Sequence, residues 1–335
     1  MKKYNVAIIG CGDMGRAHAA AWKLRNDARV AAVFDPLHDR AEAMARDTGA
    51  KICASHEEAF SLANFASVCV PIAMHAETAV AAMKRKCHVL CEKALALTEK
   101  QALAMIAAAK REGVMLGTSY QYRGFPSFQI LRRVLREKEL GDGPVFARFT
   151  DAREVRPKLA MHTKHLNNGP VLDMCGHYFD LMRFFTGEEA ESVHACGHVY
   201  GKNKERLKSI ASADLAFDAA EITVRYTGGH VLSVFVNWGM PEKHPGAVVS
   251  EVWGPDAVAR LDGCHVEVAH ADRTVRYKAD PNPIGPSVRI ADVIDAAEGR
   301  KPKPEVAGED GLAALRVCLA ALKSIQTGKA VALPA

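Results

Sequence analysis

The stretch VAIIGCGDMG, residues 6–15, joins a short apolar run to three glycines with the spacing GxGxxG. The apolar run predicts a buried strand, and the residues after Gly15 have the pattern of an amphipathic helix. Glycine spacings of this kind also occur by chance, so the surroundings decide what this one means. A second strand-like run, Val30–Phe34, ends at Asp35, 20 residues after the last glycine. Together these features predict a β-α-β unit that binds a dinucleotide.

Each part of the glycine loop has a predicted role in that unit. One glycine makes the turn, one lets the backbone approach a pyrophosphate, and one lets the helix pack on the strand. The free N–H groups at the helix N-terminus favour an anion there. The loop residues predicted to bind the cofactor are Gly10, Gly12, Asp13, Met14 and Gly15. Asp35 would bind the ribose and repel a 2′-phosphate, which favours NAD and leaves NADP possible. The alternative is a structural turn with an exposed aspartate.

The rest of the first third repeats this pattern. Short continuous apolar runs alternate with alanine-rich amphipathic stretches such as 75–86 and 98–111. Such runs separated by helices are typical of a parallel sheet buried on both faces. We therefore predict an α/β Rossmann dinucleotide-binding domain over residues 1–120.

After about residue 120 the pattern changes to longer runs that alternate apolar and polar side chains. Examples are EITVRY (221–226) and HVLSVFVNW (230–238), which are separated by a glycine turn. Alternation of this kind predicts antiparallel strands with one buried face. Residues 121–335 are therefore predicted to form an α+β domain built on an open, mostly antiparallel sheet. The last helix, about 308–327, is expected to pack back on the first domain.

Composition excludes several other classes of protein. The net charge of +5 is mild, and no block of Lys and Arg is interleaved with aromatics, so we expect no nucleic-acid partner. Nine scattered cysteines do not resemble a disulfide framework and favour a reducing cytoplasm. The apolar run near the start is shorter than the roughly 7–15 residues of a signal-peptide core. No run approaches the roughly 18 apolar residues of a membrane span, which predicts a cytoplasmic protein without a membrane partner.

Two later strand ends carry candidate site residues. Pro71 and His75 follow the strand-like run Ser67–Val70, and Glu92 and Lys93 follow His88–Cys91. Open parallel sheets bind ligands at the carboxyl ends of their strands, so Pro71, His75 and Glu92 should lie along the cofactor. The Lys93 ammonium could bind a substrate hydroxyl and stabilise the negative charge that develops on its oxygen. Glu92 could fix the direction of Lys93. The alternatives are a helix-start histidine and a solvated Glu–Lys pair.

Asp173 and His177 form a third candidate cluster. The segment Pro170–Thr186 is predicted to be one helix, on which residues four apart share a face. Two polar side chains on an otherwise apolar face must be satisfied or functional. A histidine beside a carboxylate is a natural proton acceptor near neutral pH. The alternative is a satisfied buried pair that holds the helix to the sheet.

Other polar residues near these segments are candidate substrate contacts. They follow the sixth strand or precede the Asp173 helix: Tyr120, Tyr122, Arg123, Arg153, His162, Lys164 and His165. His162 and His165 could also be imagined as metal ligands, as could Cys87 and Cys91. Neither pair is accompanied by the second pair of ligands that a structural zinc site needs, so no metal is predicted.

Several of these segments, taken in order, resemble the glucose–fructose oxidoreductase/inositol dehydrogenase family of nicotinamide-dependent sugar dehydrogenases. They span nearly the whole chain: AIIGCGDMG, FDP, VPIAMH, CEKALA, GPVLDMCGHYFD and the final GEDGLAALRVCLAALKSIQTGKAV. The resemblance implies that His177 accepts the proton, that Asp173 orients substrate or histidine, and that Lys93 binds a hydroxyl. It further implies that residues 121–335 bind the substrate and that their large open sheet forms the subunit interface of a homodimer or homotetramer.

The function that the resemblance implies is NAD-dependent hydride transfer to or from a secondary alcohol of a sugar or cyclitol. Two alternatives stay open: a non-catalytic NAD-binding sensor, and an enzyme that recycles tightly bound NAD in glycoside cleavage or sugar–sugar oxidoreduction. The sequence also departs from the family pattern. Ala94 replaces the usual proline after Lys93, which frees one backbone angle, and Val70 and Ile72 replace the usual threonine and asparagine.

Overall fold

The computed structural model describes residues 3–262, 264–281, 283 and 285–334. The chain divides into two compact units. The first unit contains Met1–Gly124 and Pro283–Leu312, and the second contains Phe125–Asn282 and Ala313–Ala335. The functional boundary predicted at residue 120 remains a prediction.

A parallel sheet of six strands forms the centre of the first unit. Its strands are β1 (Tyr4–Ile9), β2 (Ala28–Phe34), β3 (Lys51–Ile52), β4 (Phe65–Val68), β5 (His88–Cys91) and β6 (Leu116–Thr118). They lie in the order β3-β2-β1-β4-β5-β6, and all neighbours are parallel. The helices that connect them are α1 (Asp13–Lys23), α2 (His38–Thr48), α3 (His56–Ser61), α4 (Ile72–Lys84) and α5 (Glu99–Glu112). This architecture confirms the predicted Rossmann class.

The apolar runs of the sequence are the buried strands of this sheet. Every residue of β4 and the last four of β1 are buried, as expected where helices cover both faces. Trp22 on α1 packs edge-on against Phe65 of β4, with ring centroids 4.7 Å apart. α5 begins with a capping box between Thr98 and Gln101, which satisfies free N–H groups of its first turn.

The second unit contains a sheet of nine strands. Its strands are β7 (Phe146–Glu154), β8 (Ala190–His198), β9 (Ala219–Tyr226), β10 (Val231–Met240), β11 (Ala247–Trp253), β12 (Val258–Asp262), β13 (His265–Ala269), β14 (Thr274–Lys278) and β15 (Val331–Ala332). They lie in the order β14-β13-β12-β11-β7-β10-β9-β8-β15. β7 and β10 are parallel, and the other pairs are antiparallel. The predicted open, mostly antiparallel sheet is confirmed.

The remaining helices complete the two units. They are α6 (Pro126–Arg136), α7 (Gly169–Asp173), α8 (Cys175–Thr186), α9 (Gly285–Ala297) and α10 (Gly308–Thr327). α6, α7 and α8 belong to the second unit and α9 to the first, while α10 begins in the first unit and continues into the second. Within the described ranges, none of these helices has the length and apolar character that a bilayer crossing requires.

The single helix predicted over Pro170–Thr186 is wrong, because the structure breaks it at Met174. α7 ends at Asp173, and Met174 has φ −113° and ψ −48° before α8 begins. The His177 N–H donates to the Met174 carbonyl, three residues back, which tightens the chain at this point. The residues on both sides of the break are buried, so hydrophobic periodicity gives no sign of it.

Candidate active site

The glycine loop is tightly packed at two glycines and open at the third. Gly10 has φ +90°, and a Cβ placed there would lie 2.6 Å from the Cys69 carbonyl oxygen. A Cβ at Gly15 would lie 2.0 Å from the Gly10 oxygen. At Gly12, which precedes α1, a Cβ would meet no atom within 4 Å. The backbone is therefore accessible where a pyrophosphate is expected to approach, so these residues fit a dinucleotide.

Asp35 ties the end of β2 to this loop. Its Oδ2 accepts a hydrogen bond from the Cys11 N–H at 2.7 Å, and its Oδ1 accepts one from the Leu37 N–H at 2.9 Å. A carboxylate oxygen can accept more than one hydrogen bond, so both oxygens can still bind ribose hydroxyls. The other predicted loop contacts differ in exposure: Asp13 is exposed and paired with Arg16, and Met14 is half-buried.

Pro71 and His75 lie where α4 begins. The His75 ring is 1% exposed and joins two loops. Its Nδ1 lies 2.8 Å from the Ala94 carbonyl oxygen, and its Nε2 lies 2.9 Å from the Val70 carbonyl oxygen. Because a carbonyl oxygen only accepts, both bonds form together only when both ring nitrogens carry a proton. His75 is thus a buried link between the loop after β4 and the loop after β5.

Lys93 immediately follows the buried Glu92 in the loop after β5, and its side chain is half-buried. The Lys93–Ala94 peptide bond is cis. The Lys93 N–H donates to Glu92 Oε2 at 3.3 Å, so Glu92 contacts the lysine backbone, as the predicted supporting role requires.

Glu92 is anchored below the loop by a buried polar network. Its Oε1 lies 3.0 Å from His18 Nε2, and His18 Nδ1 lies 2.9 Å from Ser67 Oγ. The Trp22 indole N–H also donates to Ser67 Oγ, at 3.0 Å. Burial raises the pKa of Glu92, but the His18 hydrogen bond and the charges of His18 and Lys93 outweigh burial and hold it below its usual value. Glu92 is therefore an ionised carboxylate under Lys93 at neutral pH.

In the second unit, Asp173 and His177 lie on either side of the helix break and are each 3% exposed. Asn167 donates from Nδ2 to Asp173 Oδ2 at 3.0 Å, which fixes the carboxylate. The chain reaches α7 through Asn168 and Gly169, whose φ angles are 57° and 74°. A Cβ at Gly169 would lie 2.5 Å from the Phe217 carbonyl oxygen, so only glycine fits there.

His162 belongs to the same group of residues. It is 1% exposed, and its Nε2 lies 3.1 Å from the Arg156 carbonyl oxygen. Burial holds its pKa below the usual value. The charges of Arg156 and Arg206 act in the same direction, while the bond to the Arg156 carbonyl and the charge of Asp173 oppose it. The effect of Asp173 shows that these two predicted site residues lie within electrostatic reach of each other.

The structure places the other predicted substrate contacts of this unit nearer the surface. Arg153 makes two hydrogen bonds to Asp151, of 2.7 and 2.6 Å, and Trp238 donates to the same buried carboxylate at 3.0 Å. Lys164 is exposed and donates to the Ala213 carbonyl at 2.7 Å. His165 is also exposed and lies 3.9 Å from Asp214.

The three candidates after β6 lie in the first unit. Tyr120 is fully buried, Tyr122 is half-buried, and Arg123 is 5% exposed. The Arg123 guanidinium pairs with the Asp310 carboxylate at 3.2 Å and donates to the Glu305 carbonyl at 3.1 Å. This guanidinium is therefore engaged by partners within its own unit.

Sequence reasoning missed His18 and Asn167. One signal was available for His18, because it lies four residues before Trp22 and so shares the buried face of α1. Its contact with Glu92 joins residues 74 positions apart, which no local pattern reports.

Comparison with known proteins agrees with this geometry. Residues 4–120 match the oxidoreductase family with an NAD-binding Rossmann fold, and residues 128–260 match the GFO/IDH/MocA C-terminal domain. A 1,5-anhydro-D-fructose reductase from Ensifer adhaerens is 27% identical over 260 residues, which cover 77% of this chain and 76% of the relative.

Two further proteins show which fold and which family this chain shares. The crystal structure of an oxidoreductase domain protein from Kribbella flavida is 21% identical, with a TM-score of 0.87 and full coverage of both chains, which shows the shared fold. Inositol 2-dehydrogenase 2 from Saccharopolyspora erythraea is 30% identical over 268 residues, which cover 74% of this chain and 71% of the relative. The chain belongs to the GFO/IDH/MocA family of oxidoreductases, whose first domain is an NAD-binding Rossmann fold.

Proposed function

We propose that this protein is an NAD-dependent dehydrogenase that moves a hydride between a secondary alcohol of a sugar or cyclitol and the nicotinamide. The observation that carries this proposal is the placement of Lys93. This half-buried lysine follows β5, on the same sheet edge as the glycine loop, and its backbone is held by an anchored carboxylate.

NAD, when bound, supplies the hydride acceptor. The accessible backbone at Gly12 would receive the pyrophosphate, and Asp35 would receive the adenosine ribose hydroxyls. Pro71 and His75 would line the cofactor from the loop after β4. Glu92 would hold the backbone of Lys93 in place beside it. The Asp35 side chain disfavours the 2′-phosphate of NADP, so we propose a preference for NAD.

Three side chains are proposed to act on the substrate alcohol. His177 takes the proton from the hydroxyl oxygen as the hydride leaves the carbon that bears this hydroxyl. Lys93 donates a hydrogen bond to a substrate hydroxyl and stabilises the negative charge that develops on its oxygen. Asp173, fixed by Asn167, orients the substrate or the histidine. In the reductive direction the same groups return the proton to the carbonyl oxygen.

The substrate class is supported by the relatives, which are named for an anhydrofructose and for inositol. The proposed contacts are polar side chains that suit hydroxyl groups: Tyr120, Tyr122, Arg153, His162, Lys164 and His165. For Arg123 we propose a supporting role after β6, because its guanidinium is engaged by Asp310 and the Glu305 carbonyl.

We further propose a homodimer or homotetramer in the cytoplasm. Phe146, Val249 and Trp253 are 60%, 38% and 45% exposed and lie on one face of β7 and β11. An exposed apolar sheet face of this kind supports association through the open sheet. The nine cysteines are free thiols, which supports a reducing compartment.

The test is NADH formation with a panel of inositols, hexoses, pentoses and sugar acids, repeated with NADP. Lys93→Met and His177→Asn are compared with Lys100→Met, which removes an exposed lysine of α5. We expect turnover of one substrate class, lost in the first two variants and kept in the control. Tight NAD binding without turnover of any panel member would contradict the proposal and favour the sensor or recycled-cofactor function.

A further inference from the structure

The side chain of Arg156 is only partly satisfied by the residues that the structure describes. It follows β7 by two residues, and its guanidinium carbon lies 5.8 Å from the centroid of the Trp238 ring. Contact with an aromatic face covers the flat side of a guanidinium and leaves its N–H groups to donate in the plane. The Nε of Arg156 is buried and has no hydrogen-bond acceptor among the described residues.

Three other arginines of the second unit are each paired with a carboxylate. Arg153 pairs with Asp151 at 2.6 Å, Arg183 with Glu189 at 2.6 Å and Arg206 with Glu242 at 3.0 Å. A buried donor without an acceptor destabilises the fold, because it has lost its hydrogen bonds to water. The acceptor for such a donor is usually a group that the chain itself does not supply, such as a water, an ion or a ligand. The missing partner of Arg156 is an acceptor, and an anion suits a guanidinium best.

The second group with an unsatisfied atom is the ring of His162, which contacts the backbone of Arg156. Its Nε2 faces the Arg156 carbonyl oxygen at 3.1 Å, so Nε2 carries the ring proton. Its lowered pKa, caused mainly by burial, keeps the ring neutral at neutral pH. Nδ1 is then an acceptor, and it has no hydrogen-bond partner within the part of the chain that the structure describes. A hydroxyl group of a ligand is the donor that Nδ1 lacks.

The two unsatisfied atoms belong to the neighbourhood of a proposed active-site residue. The charges of both Arg156 and Asp173 act on His162. A ligand that reaches Asp173 with a hydroxyl can therefore meet a second acceptor at His162 and a cation at Arg156. This combination describes a polyhydroxyl compound that also carries a negative charge.

We propose that the substrate is an anionic sugar, whose carboxylate or phosphate is bound by Arg156 while an adjacent hydroxyl donates to His162 Nδ1. This inference rests on the proposed function and narrows its substrate class. Carboxylate and phosphate present the same acceptor oxygens to a guanidinium, so both sources are included in the test.

The experiment compares matched sugars with and without the charge. D-glucuronate and D-glucose 6-phosphate are each measured against D-glucose, and D-galacturonate is measured against D-galactose. kcat/KM for NADH formation is determined for wild type, Arg156→Gln and Arg206→Gln. Arg206 is the control, because its charge also acts on His162 but its guanidinium is paired with Glu242.

We expect an anionic member to exceed its neutral partner by about tenfold or more in the wild type, as for a charge-assisted contact. Arg156→Gln should reduce that ratio to about one while leaving neutral sugars within about twofold, since only the charged contact is lost. Arg206→Gln should keep most of the preference. A uronate preference would identify the carboxylate, and a glucose 6-phosphate preference the phosphate.

Two results would overturn the inference. One is oxidation of neutral sugars at least as well as their anionic partners, which would leave the proposed dehydrogenase intact. The other is an equal loss for charged and neutral sugars in Arg156→Gln. If no panel sugar is oxidised, the proposed function fails. Calorimetric binding of D-glucuronate and D-glucose to the protein–NADH complex then decides, because equal binding of the two contradicts an anion site at Arg156.

Discussion

The two compact units differ in how their candidate residues are satisfied. In the first, Glu92, His18 and Ser67 form a closed buried network, and both ring nitrogens of His75 face carbonyl oxygens. In the second, Arg156 Nε and His162 Nδ1 are buried without a hydrogen bond among the described residues. We infer that the cofactor residues are organised by the protein itself, whereas Arg156 and His162 are completed by a ligand.

The largest predicted effect on the cofactor-binding residues of the first unit comes from Gly15→Ala. Its Cβ would lie 2.0 Å from the Gly10 carbonyl oxygen, so the backbone of the loop must move. We expect the free energy of unfolding to fall by about 3 kcal/mol, measured by urea denaturation, with loss of NAD binding.

Gly12→Ala is the matched control. Its Cβ meets no atom within 4 Å, so the stability loss should be about 1 kcal/mol or less. NAD affinity, measured by calorimetry, should still fall, because the methyl group occupies the accessible side of the loop. Unchanged NAD affinity in this variant would contradict the proposed approach of the pyrophosphate at Gly12.

Glu92→Gln tests the closed network itself. Loss of the charged hydrogen bond to His18 should lower the free energy of unfolding by roughly 2 kcal/mol at neutral pH. The native pKa of Glu92 lies below the unfolded value of 4.5, so its stabilisation is present above pH 4.5 and is lost as pH falls through the native pKa. Denaturation between neutral and acidic pH should therefore show wild type and variant converging below pH 4.5. Parallel curves would contradict an ionised Glu92.

Asp35→Asn sharpens the cofactor preference. The neutral amide keeps an acceptor for the Cys11 N–H but no longer repels a 2′-phosphate. The ratio of kcat/KM for NAD over NADP should fall by about tenfold, equivalent to about 1.4 kcal/mol. An unchanged ratio would assign the discrimination to residues other than Asp35.

The smallest effect concerns the pH dependence of stability on the substrate side. Burial lowers the pKa of His162 in the native state below its unfolded value of 6.5. Above pH 6.5 the ring is neutral in both states. The free energy of unfolding therefore falls as the pH drops from 6.5 through the native pKa. His162→Gln keeps a donor for the Arg156 carbonyl and should reduce this fall by under about 1 kcal/mol. Thermal unfolding from neutral pH to about pH 5 measures it. An identical fall in both proteins would contradict a buried neutral His162.

Much of the fold could be predicted from sequence because its signals are local. Each of these segments can be identified from its own pattern. VAIIGCGDMG corresponds to β1 and the turn into α1, the short apolar runs correspond to parallel strands, and the alternating EITVRY corresponds to β9. The placement of Lys93 after β5 follows from the same reasoning. The break at Met174 escaped prediction because both sides of it are uniformly buried.

The residues that satisfy the site could not be predicted in the same way. The contact between His18 and Glu92 joins residues 74 positions apart, and the hydrogen bond between Arg123 and Asp310 joins residues 187 positions apart. Only tertiary packing brings such pairs together. The missing acceptor of Arg156 is a property of the folded chain, since no pattern in the sequence separates it from the paired Arg153.

The most direct test of the proposed catalysis is a single turnover with the best substrate of the panel and stoichiometric NAD. Absorbance of NADH is followed in wild type, Lys93→Met and His177→Asn after calorimetry has shown that all three bind NAD. We predict one rapid turnover in the wild type and a rate lower by about 10²–10³ in each variant. NADH formation at the wild-type rate in either variant would contradict the roles proposed for Lys93 and His177.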